Sequence, residues 1–152
     1  MARAPFQVLV YPYRTINNEQ IRYALLKRAD AGWWQGIAGG GEDKETPLDA
    51  AIRETYEETG ISTVSEIMQL TSTESVPAAG FRDSHLWGED VYVIPQYSFG
   101  VAAHDVKIVI SHEHTEYGWF TYEEACKLIQ YDGSRTALWE LDKRLKGRGP
   151  RA

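Results

Sequence analysis

Residues 39–61 read GGGEDKETPLDAAIRETYEETGI, and how this stretch divides decides the fold. Thr46 can cap free N–H groups with its hydroxyl, and Pro47 suits the first helical position. Asp49 sits where the positive end of the helix dipole favours an acid, and Gly60 supplies a stop. One helix is predicted over residues 47–59, with Leu48, Ala51, Ile52, Thr55 and Thr59 recurring at helical spacing as its packed face. The consecutive Gly39, Gly40 and Gly41 predict a bent or closely approached loop before it.

That helix carries Glu54, Glu57 and Glu58 at i, i+3 and i+4, so three carboxylates crowd one patch, opposite the predicted packed face. Arg53 offers one compensating charge. A divalent cation would relieve the repulsion, and an all-oxygen site selects a hard ion, Mg²⁺ or Mn²⁺. The plain alternative is a solvated acidic helix face.

The spacing of the whole stretch resembles the Nudix box, G-x5-E-x7-R-E-U-x-E-E-x-G-U with U aliphatic. Gly39, Glu45, Arg53, Glu54, Glu57, Glu58, Gly60 and Ile61 fall on its defined positions, and Thr55 departs from the first U. With residue types near 5 to 9% of sequence, a chance match has a probability on the order of one in a million. The resemblance implies a MutT-like, Nudix-type α/β/α sandwich with a mixed sheet, an α/β (α+β) fold, and a Mg²⁺-dependent pyrophosphohydrolase. By position it makes Glu54, Glu57 and Glu58 metal ligands, with the Ala38 carbonyl a further one. Arg53 and Glu45 become an orienting pair, and Gly39 and Gly40 a path for metal or phosphate. The family's general base is a glutamate, from the box or from a later segment. Here the later candidate is Glu113 in SHEHTEYGWF, residues 111–120, which resembles the family's E-H-x4-W segment; Glu116 competes with it. Without a Cys or a third convergent His, His112 and His114 read as surface or strand-end residues rather than zinc ligands.

Outward from the box, residues 6–13 and 21–27 are rich in β-branched and aromatic side chains, and residues 15–18 carry turn chemistry, which predicts a hairpin. Residues 64–73, 91–101, 107–110 and 117–120 predict further strands, and 74–90, with Pro77, Gly80 and Gly88, a long loop. Thr121 with Glu124 forms a capping box for a helix to about Ile129. Ser134 is expected to cap a last helix whose stripe is Leu138, Leu141 and Leu145. Residues 1–152 are expected to form one domain, with 146–152 a loose tail.

A chain of 152 residues, 43% apolar and rich in Trp, Tyr and Phe, can bury a core. Its net charge of −6 argues against a nucleic-acid partner, which needs clustered Lys and Arg. No apolar run reaches membrane-spanning length. Cys126 stands alone and reads as a small buried helix residue. A cytoplasmic monomer or homodimer acting on a small nucleotide-type substrate is expected.

The resemblance is greatest to the dATP and dihydroneopterin triphosphate pyrophosphohydrolase group. It implies substrate contacts at Lys27, Arg28 and Ser134. One of Trp33 and Trp34 is expected to be buried, and either indole can stack on a ring, Trp34 being the one carried forward. A dATP-like nucleoside triphosphate, cleaved to monophosphate and pyrophosphate, is the first expectation. Pro77, sixteen residues past Ile61, keeps ADP-ribose open. The absence of a tyrosine around Ala78 counts against dinucleotide polyphosphates. A non-catalytic nucleotide-binding module would be expected to have lost box carboxylates, and none is lost.

Overall fold

A computed structural model describes residues 2–17, 20–62, 66–104 and 107–147. The chain opens on two strands, β1 (Arg3–Ile16) and β2 (Gln20–Arg28), paired antiparallel from Tyr13↔Tyr23 to Ile16↔Gln20. The hairpin turns at Asn17, which takes a left-handed φ of 53°; Asn tolerates this conformation better than most side chains. Asn18 lies outside the described residues.

β1 is central and its middle, Val8 to Pro12, is buried, so that stretch is apolar throughout rather than alternating. Leu9 and Tyr11 enter one core, Val8 and Val10 the other. On one flank β1 pairs β2 and also β4 (Ile37–Glu42); on the other it pairs β6 (Val93–Ala102) in parallel. β5 (Ile67–Pro77) forms the edge beyond β6, while β3 (Trp34–Gln35) and β7 (His114–Phe120) both pair β2. The seven described strands make one mixed sheet.

Helix α1 (Pro47–Thr59) lays Ala50 and Ala51 on Val8, Val10, Ile37 and Phe99. On the opposite face, α2 (Tyr122–Leu128) and α3 (Asp132–Lys146) bring Ala125, Ala137, Leu138 and Leu141 onto Leu9, Tyr11, Tyr23 and Leu25. This is the expected three-layer α/β/α arrangement. Burying a Leu side chain contributes roughly 2 kcal/mol, so Leu138 and Leu141 hold α3 firmly. Under them, Tyr23 donates to Asp142 Oδ1 at 2.6 Å and Lys146 reaches Asp142 Oδ2 at 2.8 Å, which satisfies the buried acid. Where the β5/β6 register breaks, the N–H groups of Thr71 and Ser72 donate to Glu140 of α3.

The helix over 47–59, its Thr46 cap and the capping box of α2 match the sequence reading, and Asp49 completes a capping box on α1 as well. Several other elements differ. Gly39, Gly40 and Gly41 form no loop; they are strand residues of β4, Gly39 opposite Val8 and Gly40 opposite Gln7. Pairing with β1 satisfies their backbone, and the missing side chains make room for neighbours. Residues 107–110 form no strand: Val109 N–H donates to the Thr59 carbonyl, and Ile108 plugs a small core. β5 runs on to Pro77, and two 3-10 turns, Ala78–Gly80 and Arg82–Leu86, occupy much of the expected loop. Ser134 does not cap α3, which begins two residues earlier after an extended Tyr131. Leu48 is exposed, and Cys126 is half-buried at the rim of a core. Residue 64 and most of the 146–152 tail lie outside the described residues. Among the described residues, no helix is long and apolar enough to cross a membrane.

Candidate active site

Reciprocal caps fix where α1 begins: Thr46 Oγ1 accepts from Asp49 N and Asp49 Oδ2 accepts from Thr46 N, both at 3.1 Å. Gly60, at φ 78°, ends the helix in the left-handed region that favours glycine. The rigid segment between them carries the three glutamates, but not on a face turned away from the core. Glu54 is 9% exposed and Glu58 4%, while Glu57 faces solvent. Strand β4 makes this burial sterically possible. A Cβ at Gly39 would fall within the Glu54 carboxylate, one at Gly40 on the Arg3 guanidinium, and one at Gly41 on the Phe6 ring.

Arg53 ties helix to strand. Its Nε and Nη2 donate to the two Glu45 oxygens at 2.8 and 2.9 Å, and Nη2 also reaches the Gly40 carbonyl at 2.9 Å. Nη1 meets Glu54 at 3.0 Å and Glu57 at 3.3 Å. Bonding to Arg53 holds the Glu45 carboxyl below its usual range. Glu54 goes the other way: burial pushes it up to about 7, against the pull of Arg53 and with help from its acidic neighbours.

The segment before β7 closes the site. Ser111 Oγ donates to Glu58 Oε2 at 2.9 Å and accepts from Glu113 N–H at 3.3 Å. The Glu113 carbonyl takes the Ala29 N–H. His114, 8% exposed at the start of β7, puts Nδ1 2.9 Å from Glu58 Oε2. It is thus a strand-end residue but not a surface one. Burial opposes charge on Glu58, but His114, Glu113 and Ser111 together hold its carboxyl low. Bonding to Glu58, then burial, raises that of Glu113.

Glu54, Glu57, Glu58 and Glu113 all border one cavity of about 910 Å³. Among the described residues, no three His, Cys, Asp or Glu side chains are already gathered at metal-ligand distances; the glutamates are held by Arg53 and Ser111 instead. The donor set still fits a hard divalent cation. It is all oxygen, and burial leaves the Glu54 charge short of compensation.

A sequence model of the NUDIX domain matches residues 13–140. The chain belongs to the NUDIX family. It is 33% identical over 128 residues to a mouse protein named bis(5'-nucleosyl)-tetraphosphatase [asymmetrical], covering 82% of this chain and 81% of that one. The Escherichia coli dihydroneopterin triphosphate diphosphatase is 29% identical over 140 residues, 90% of this chain and 91% of that one. A Listeria monocytogenes crystal structure described as a NUDIX hydrolase superposes with a TM-score of 0.85 at 36% identity, covering 98% and 99% of the two chains. The protein is therefore a hydrolase of the class that acts on nucleotide-linked phosphoanhydrides.

In this NUDIX hydrolase the same cavity is bordered by Ala38, Gly39, Gly40, Arg28, Trp34 and Ser134. Both tryptophans are half-buried, so neither is the fully buried partner expected from alternation. Trp34 packs edge-on against Phe120, centroids 5.3 Å apart, and Trp33 against Tyr131 at 6.2 Å, with Arg28 over its ring. Ser134 contributes its backbone carbonyl to the Tyr11 hydroxyl at 2.9 Å. Lys27 and Glu116 do not border the cavity; they pair with each other at 3.5 Å across β2 and β7. Sequence reasoning missed Arg3, Tyr131, Glu74 and Gln96 on the cavity wall, and the bridging role of Ser111. Ser111 stands inside the quoted 111–120 segment; the others carry no local signal.

Proposed function

We propose that this NUDIX hydrolase is a Mg²⁺-dependent pyrophosphohydrolase of a nucleoside triphosphate, directing water onto a phosphoanhydride to give monophosphate and pyrophosphate. The observation that carries the reading is that Glu54, Glu57, Glu58 and Glu113 share a cavity with the side-chain-free strand at Gly39 and Gly40 and with an aromatic wall. These four carboxylates and the Ala38 carbonyl would hold the cation. A Mg²⁺ or Mn²⁺ ion bound there supplies charge neutralisation for phosphate oxygens and a more acidic water. Glu113 is the proton acceptor in this reading, its basicity raised by bonding to Glu58 and by burial. Arg53, which also borders the cavity, keeps Glu54 and Glu57 in place. Arg28 and Arg3 offer cations for phosphate oxygens, and Trp33, Trp34 and Tyr131 offer ring faces.

A second reading, a dinucleoside polyphosphate substrate, is favoured by one feature. The cavity is bordered by two separate cation–aromatic groupings, Arg28 over Trp33 and Arg3 over Phe81 at 5.2 Å, as a ligand with a base at each end would need. The mouse relative's name agrees with it.

A panel of dATP, dihydroneopterin triphosphate, a dinucleoside tetraphosphate and ADP-ribose, assayed with Mg²⁺ in ¹⁸O-labelled water, separates the readings and locates the bond broken. Glu57→Gln and Glu58→Gln are expected to lower kcat by about a hundredfold or more while the fold persists. Equal product release by wild type and both variants contradicts the proposed site.

A further inference from the structure

One level of the sheet carries a row of polar residues. Gly40 on β4 pairs with Gln7 on β1, Gln7 with Gln96 on β6, and Gln96 with Glu74 on β5. All four border the cavity. With strands spaced about 4.8 Å apart, the row runs roughly 14 Å from the glycine strand beside the α1 carboxylates to Glu74. Its near end is cationic, because Arg3 lies on Gly40 and donates to Gln7 Oε1. Its far end is anionic. Gln96, 8% exposed, donates to Glu74 Oε2 at 3.2 Å. A Cβ at Gly133, near the start of α3, would collide with the Glu74 carboxyl, so a glycine there makes the space this side chain fills.

Among the described residues Glu74 meets no cation, and its Oε1 receives no hydrogen bond from them. Such a group repels phosphate. It attracts N–H donors, the more so because burial and then Asp132 raise its basicity. We propose that Glu74, oriented by Gln96, is a specificity-determining residue that accepts hydrogen bonds from the ring N–H and adjacent amino group of a 2-amino-4-oxo heterocycle, the edge shared by guanine and pterins. Two neighbouring donors match two carboxylate oxygens. The corresponding edge of a 6-aminopurine offers one donor beside a ring-nitrogen lone pair, which a carboxylate opposes. The inference rests on the pyrophosphohydrolase reading for where the phosphates lie.

The test compares GTP, dihydroneopterin triphosphate and ATP, by kcat/KM with Mg²⁺ and by calorimetric binding with Ca²⁺ in its place, in wild type and Glu74→Gln. A bidentate pair discriminates by about 1–3 kcal/mol, roughly five- to 150-fold. Wild type is expected to prefer one or both 2-amino-4-oxo compounds over ATP within that range. GTP against the pterin tells which source is used. Glu74→Gln is expected to collapse the ratio with the melting temperature kept. No preference in wild type, or a ratio unchanged in Glu74→Gln, overturns the proposal. If nothing is hydrolysed, the catalytic reading fails, while the binding ratios still decide this one. Should Glu74→Gln fold poorly because the carboxyl supports α3, Gln96→Leu reads out the same ratio from the neighbouring strand.

Discussion

Arg53 and Glu45, eight residues apart, meet through two parallel hydrogen bonds, Nε to Oε2 and Nη2 to Oε1, which clamp the middle of α1 to the turn that follows β4. Lysine cannot reproduce the planar fork. Arg53→Lys is therefore expected to destabilise the protein by about 1.5–3 kcal/mol in urea unfolding, and to lower turnover further because Glu54 and Glu57 lose a shared partner. An unchanged urea midpoint would show that the clamp contributes nothing.

The Glu54 carboxyl, raised to about 7 by burial, makes the metal-free protein sensitive to pH. Between the ordinary carboxylate value of 4.5 and about 7 the folded state binds more protons than the unfolded chain, so this group's contribution to stability falls as pH rises through that window. The melting temperature without metal should thus decline from pH 5 to pH 8, on account of this group. Added Mg²⁺ or Mn²⁺ should reverse the decline at the upper end, with proton release on binding. A Glu54→Gln protein that keeps the same pH dependence would place its origin elsewhere.

Gly39→Ala tests the packing of β4 on α1. The new Cβ would overlap the Glu54 carboxylate, so the side chain must leave its position. Weakened Mn²⁺ binding, followed by electron paramagnetic resonance, is expected along with reduced turnover. Wild-type affinity in this variant would show that Glu54 is not held where a cation needs it.

Ser111 links Glu58 to the Glu113 backbone. Ser111→Ala removes the donor to a buried carboxylate, and about 1–3 kcal/mol is expected to be lost. In activity the effect should fall on kcat more than on KM, shift the acid limb of the pH profile, and be rescued by Ser111→Thr. A uniform loss with no change in the profile would mean that the serine only supports the fold.

The helix over 47–59 was legible because everything that defines it is local: Thr46, Pro47, Asp49 and Gly60 act within one turn of each end. Glu54, Glu57 and Glu58 were legible for the same reason. The glycine strand was not, because three glycines lack intrinsic strand preference and take one here only through β1 and through the side chains of Glu54, Arg3 and Phe6 that occupy their faces. Lys27, which the resemblance makes a phosphate contact, lies outside the cavity lining and pairs across the sheet with Glu116, 89 residues away.

By itself the sequence determined the family and the helix that carries Glu54, Glu57 and Glu58, since these follow from spacing along the chain. Which acids are buried, which basic residues reach the cavity, and how Gly40, Gln7, Gln96 and Glu74 line up were decided only by tertiary structure. Strand register sets these relations, and it joins residues whose separation in sequence carries no periodic signal.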